Sequence, residues 1–362
     1  MQGLELSRRF YFEAVRPILD RDFPKFAHAA ALIGYGSEVL GFDDETSRDH
    51  HWGPRVQLFV RESESADAIE RSLAAKLPTE FAGFPTNFGP TEEPGTIRMT
   101  AVEAGPVVHR VETLVLRDYL RDRIGVDPLE GFTTADWLAT PAQQLLELTA
   151  GEMFSDSIGE LTRVRELLEW YPHDVWLLVM AGYWRRIAQF EHLHGRTGLL
   201  GDDLGSRLLG AALVRDLMRL GLLQLRRYPP YPKWIGTAYA DLDLEERGAL
   251  EAALAAEDWQ SREDALVEAF EAVARRHNEL GVTEPVDPVV RQFWGRPIRV
   301  LFADRFVEVL RAAITDTDVR AIDHDAGSID AVSDNTDVLT RPQVWRRMSL
   351  LPGEDEGAPT YK

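Results

Sequence analysis

Apolar residues along this chain follow two rhythms. In the first third, short runs of strand length alternate with occasional helical stretches; from Thr133 onward the period is almost entirely that of a helix. Leu4 to Asp20 places Phe10, Phe12, Val15, Ile18 and Leu19 near helical spacing, and Pro24 ends the segment. Ala30-Ala31-Leu32-Ile33 is an apolar run of strand length closed by Gly34-Tyr35-Gly36-Ser37, and Val56, Leu58 and Val60 alternate as a second strand over Arg55–Val60. Ser63 to Leu77 reads as a helix stopped by Pro78, and the Gly-, Pro-, Thr- and Asn-rich stretch from Ala82 to Gly95 as a loop. Thr96–Glu103 and Val107–Leu114 are two further strand candidates.

In the second part Thr140-Pro141 is a helix start and Gly151 a stop. Helical spacing then runs over Ser157–Trp170, Asp174–His194, Leu208–Leu225, Leu244–Ala255 and Arg262–Leu280, the last capped by Ser261 and followed by Gly281. On the Asp174–His194 helix, Trp176, Met180, Tyr183, Ile187 and Phe190 form an apolar stripe read as core. Arg185, Gln189, His192 and Arg196 form a polar stripe, either a solvated face or a wall toward a bound anion. The aspartates between Thr315 and Asp337 lack the spacing of a calcium loop and read as loop and cap residues. The predicted fold class is α+β: a small N-terminal mixed α/β domain over residues 1–130, a larger all-helical domain over 131–350, and a disordered tail over 351–362.

Composition narrows the setting. With 362 residues, 44% of them apolar, the chain can bury a large core, and none of its apolar runs reaches membrane-spanning length. The absence of cysteine excludes a disulfide framework, a zinc ribbon and a thiol nucleophile. The N-terminus lacks the pattern of a secretory signal, so the cytoplasm is the expected compartment and no membrane partner is expected. A formal charge of −20 argues against nonspecific nucleic-acid binding. Walker, His-Glu-x-x-His, dinucleotide and Gly-x-Ser-x-Gly motifs are absent from the sequence.

Candidate chemistry concentrates in GYGSEVLGFDDETSRDHHWGPR, residues 34–55. A Gly-Ser turn after a strand exposes backbone N–H groups to an anion, and a carboxylate at the mouth of the next strand can hold a divalent metal against it. This stretch resembles the signature of the nucleotidyltransferase superfamily, which includes the aminoglycoside and lincosamide nucleotidyltransferases. More narrowly it is similar to a bacterial family, the domain of unknown function 4037. That likeness extends through Tyr228-Pro229-Pro230-Tyr231-Pro232-Lys233-Trp234 to Gly327-Ser328-Ile329-Asp330.

The resemblance implies that Gly36 and Ser37 bind nucleotide phosphates, that Asp49 and position 51 bind Mg²⁺, and that Lys233 neutralises the triphosphate. It also implies a third carboxylate from a later strand, as metal ligand or general base. Glu112 is the first choice and Glu103 the second, and either could equally be a solvated strand residue. The implied reaction moves a nucleoside monophosphate, AMP from ATP, to a hydroxyl acceptor, with a small molecule first and protein or tRNA as alternatives. Position 51 departs from the pattern, carrying His51 where a carboxylate is expected. Mg²⁺ prefers oxygen ligands, so either His51 recruits Mn²⁺ or Zn²⁺, or the site binds nucleotide with weakened or no turnover. The alternative to an enzyme is therefore an inactive nucleotide-binding regulator or partner-binding protein on the same scaffold.

Overall fold

Four strands form the central sheet of the computed structural model, which describes residues 1–63 and 65–341. They are β1 (Ala29–Leu32), β2 (Arg55–Val60), β3 (Arg110–Val115) and β4 (Glu152–Asp156), in the order β3-β2-β1-β4. β2 pairs parallel with β3, and β1 pairs antiparallel with β2 and β4, so the sheet is mixed and the fold α+β. β4 comes from beyond residue 130. Its sequence, Glu-Met-Phe-Ser-Asp, has two adjacent apolar residues and no alternation, which is why the helical rhythm around it conceals a strand. Two small hairpins, Glu80–Phe81 with Phe84–Pro85 and Phe88–Pro90 with Ile97–Met99, occupy the expected loop and the segment after it.

Alternation along the strands sorts side chains onto two cores. Ala30 and Leu32 of β1, with Val56 and Leu58 of β2, join Phe10, Val15 and Leu19 of the N-terminal helix and Ile69 and Leu73 of the helix Ala66–Lys76. The N-terminal helix runs from Gly3 to Asp22 through a π turn at Tyr11–Val15. The opposite face, with Ala29, Ala31 and Phe59, packs into a large core shared with the helices that follow.

The short α1 (Ser37–Leu40) gives Val39 to the first core, whereas the large core takes α2 (Leu116–Ile124), α3 (Ala142–Thr149), α4 (His173–Phe190), α5 (Asp203–Gln224), α6 (Pro232–Ala240) and α7 (Trp259–Glu279). α4 is the axis: Trp176, Met180, Tyr183 and Ile187 of the predicted stripe are fully buried, Phe190 at its end is half-buried, and Trp184 stacks on Phe306 with ring centroids 4.2 Å apart. The N-cap of α7 is Asp258, whose carboxylate accepts from Ser261 N at 2.8 Å, so the helix begins one turn earlier than a Ser261 cap would allow. The aspartates after Thr315 act as caps and anchors: Asp316 caps the turn at Thr317–Arg320, and Asp330 accepts from Ala142 N at the start of α3. The expected tail, 351–362, lies outside the described residues. Among the described residues no helix is long and apolar enough to cross a membrane.

Candidate functional site

β1 ends in a turn that only glycine can make. Gly34 and Gly36 have φ of +88° and +132°, a region that side chains with a Cβ rarely enter. A Cβ on Gly36 would lie 2.6 Å from Glu38 Oε2 and 2.9 Å from Arg55 Nη2, so the turn is packed from beneath as well as bent. Ser37 then opens the single turn of α1, and Gly41 closes it in the left-handed region.

Beneath the turn Arg55, first residue of β2, donates from Nη2 to Glu38 Oε1 at 2.6 Å and to the Tyr35 carbonyl at 3.3 Å. Both side chains are buried, 6% and 4% exposed, so neither charge has water as an alternative partner. Next along the same strand face, Gln57 Oε1 accepts from Ile33 N at 2.9 Å. The strand following the glycine turn thus presents Arg and Gln, not carboxylates, toward the helical side. Asp49 sits earlier, at the end of the 3-10 turn Thr46–Asp49, 62% exposed, with Oδ1 2.7 Å from His50 Nδ1. His51 follows with φ +52°, its N–H donating to Ile97 O at 2.8 Å and its ring edge-on to Tyr35. Burial first, then Arg110, His50 and Arg55, push the His51 imidazole below its ordinary pKa.

From the helical side a hydrogen-bonded chain reaches the same turn. Tyr231 N donates to Gln143 Oε1 at 2.9 Å, Gln143 Nε2 to Glu147 Oε1 at 2.8 Å, and Arg123 Nη1 to Glu147 Oε2 at 3.3 Å. Glu147 also accepts at its backbone carbonyl from Gly34 N, 2.8 Å away, which fixes α3 against the turn. Burial pushes the Glu147 carboxyl up, opposed by Gln143 and Arg123. Lys233 lies exposed on the first turn of α6, its Nζ 4.7 Å from the Trp234 ring centroid, and Trp234 meets Phe42.

Between these two sides lies an open cleft of about 550 Å³. Gly36, Ser37, Asp49, His51 and Lys233 all line it, although nearly two hundred positions separate the first from the last. Glu112 does not. It belongs to β3 and lines another cleft along that strand, with Oε1 2.9 Å from Arg110 Nη2. Glu103, the second choice, lies in the connection before β3 and takes no part in the lining. Among the described residues no three His, Asp or Glu side chains gather as metal ligands. The polar stripe of α4 faces elsewhere: Arg185 is ion-paired to Asp304 and Asp325, and His192 stacks on Phe293.

Sequence reasoning missed Tyr35, Arg55, Arg123, Gln143 and Glu147. Arg55 carried one signal, a charge at the start of a mostly apolar strand.

Residues 137–235 match the family described as Domain of unknown function (DUF4037). The matched span holds part of the helical lining of the cleft, from Gln143 and Glu147 to Lys233 and Trp234, and does not include the Gly36–His51 signature. A solved structure, a nucleotidyltransferase-like protein from Exiguobacterium sibiricum 255-15, is 13% identical and covers 77% of each chain with a TM-score of 0.35. At that score the likeness says nothing of the site. No curated protein matches the chain.

Proposed function

We propose that this chain is a nucleotidyltransferase-like protein whose cleft binds a nucleoside triphosphate, ATP first among them. One observation carries the reading: the Gly36–Ser37 turn and Lys233, drawn from distant parts of the chain, face a single open cleft. In that arrangement the backbone N–H groups of the turn and the Ser37 hydroxyl take the phosphates, and Lys233 balances their charge. Trp234 and Tyr231, which line the same wall, offer faces for the base or sugar.

The implied Mg²⁺ does not fit the residues present. The hard cation needs several oxygen donors. Here Asp49 is hydrogen-bonded to His50, position 51 supplies an imidazole, and Glu112, beside Gln57 on β3, is ion-paired to Arg110. These side chains give a metal-assisted transfer of AMP to a hydroxyl acceptor little support, and the reading favoured is nucleotide binding with weak or no transfer.

Calorimetric titration with ATP tests the binding. A saturable isotherm that Lys233→Ala weakens about tenfold is expected; absence of any ATP binding defeats the reading. Incubation with α-phosphate-labelled ATP and a panel of small-molecule, protein and tRNA acceptors tests the chemistry. His51→Asp should raise transfer above the native chain, and an unchanged or lower rate in the variant contradicts a site weakened at position 51.

A further inference from the structure

Three guanidinium groups converge on Tyr35, the residue between the two glycines of the turn. The Cζ atoms of Arg55 and Arg123 lie 5.3 Å and 5.2 Å from the ring centroid, and Arg110 Nη2 donates to the phenol oxygen at 2.9 Å. Arg55 is bound to the turn itself, its Nη2 holding the Tyr35 carbonyl and filling the space beside Gly36. Its Nε is buried and has no hydrogen-bond partner among the described residues.

The carboxylates that touch these arginines are ion-paired: Glu38 is held by Arg55, Glu147 by Gln143 and Arg123, and Glu112 by Arg110, while Asp44 and Asp49, farther along the lining, bond to Ser47 and His50. A divalent ion bound through Glu38 or Glu147 would have to break the pair with Arg55 or Arg123 and then sit beside a fixed guanidinium of like sign. Bringing like charges together in a partly buried site is costly, whereas an anion meets the same guanidinium as an attraction. An arginine cannot be deprotonated in a protein and its planar fork matches phosphate geometry, so a fixed guanidinium can do the charge balancing that a metal ion would otherwise do.

We propose that Arg55, seconded by Arg110 and Arg123 around Tyr35, takes the place of a divalent cation beneath the Gly36–Ser37 turn, so that the nucleoside triphosphate is held without metal. The proposal rests on the reading of this cleft as a nucleotide site, and the test separates the two.

ATP is titrated into the full chain by calorimetry, once in EDTA and once with Mg²⁺. Dissociation constants within about threefold of each other are expected. Binding that appears only with Mg²⁺, or is about tenfold weaker in EDTA, overturns the metal-independent site and leaves the nucleotide reading standing. No binding in either condition overturns both. A second arm uses the double variant Glu38→Met/Arg55→Met, which removes both buried charges together and leaves neither stranded. With the variant's folding checked by its unfolding transition, ATP affinity should fall about tenfold or more and Mg²⁺ should not restore it. Native affinity in the folded double variant overturns the role given to Arg55.

Discussion

The two faces of the sheet are made from the same strands and carry opposite information. Toward the N-terminal helix β1 and β2 present Ala30, Leu32, Val56 and Leu58, an apolar surface closed by more apolar side chains. Toward the helical region the same two strands present Ala29, Ala31 and Phe59, but also Arg55 and Gln57, both buried. A buried arginine and glutamine carry desolvation costs that an aliphatic pair would not. Here Arg55 Nη2 is satisfied by Glu38 and the Tyr35 carbonyl, and Gln57 Oε1 by Ile33 N, three partners that belong to the glycine turn and its flanks. One face is built to hold the fold together; the other, at its glycine end, is built to hold a turn in place.

Breaking the polar face should have the largest effect on stability. Arg55→Ala strands the Glu38 carboxylate in a buried site and should cost about 3–5 kcal/mol in denaturant unfolding. The double variant Glu38→Met/Arg55→Met should recover most of that loss, because a matched apolar pair carries no stranded charge. A single variant as stable as the native chain would show that the pair is not buried in solution. On the apolar face, Leu58→Ala should cost about 2–5 kcal/mol through the cavity it leaves, with ATP binding intact in the folded fraction.

Smaller effects sharpen the contrast between the two clefts. Lys233→Ala should leave stability within about 0.5 kcal/mol of native, since the side chain is exposed, while still weakening ATP binding in calorimetry. Glu112→Gln removes the ion-pair partner of Arg110 on a part-exposed strand position and should leave stability within about 0.5 kcal/mol of native in denaturant unfolding; a larger loss would mean that the pair holds β3 in place.

Away from both clefts a pH effect is expected at the end of α4. Glu191 accepts from the N–H groups of Leu301, Phe302 and Ala303, and burial, opposed by those bonds, pushes its carboxyl up to about 7. The folded state then holds this proton where the unfolded chain, with a pKa near 4.5, has released it. Stability should therefore decline as pH rises from about 4.5 to about 7, and Glu191→Gln should flatten that decline in unfolding curves taken across the range.

How far the sequence could be read follows from where each signal resides. Strands β1 and β2, the helix around Ile69 and Leu73, and the long helices of the second part carry their own periodicity, so local spacing was enough. Gly36, Ser37 and Lys233 were legible as candidates because a glycine turn and a proline-fixed helix start are local features too; that they share one cleft with Asp49 and His51 only the fold could show. For Glu112 alternation tells which face of the strand it occupies, beside Gln57, and not that it pairs with Arg110. Arg55 showed only a charge at a strand start; its burial depends on Glu38, supplied by a different element. β4 stayed hidden since an edge strand of five residues needs little apolar surface of its own.

The most direct test of the nucleotide site is a crystal of the full chain soaked with ATP. Phosphate density within hydrogen-bonding distance of the Ser37 backbone N–H, with Lys233 turned toward it, is the predicted result. ATP bound in another cleft, with the Gly36–Ser37 turn unoccupied at full nucleotide occupancy, would contradict it.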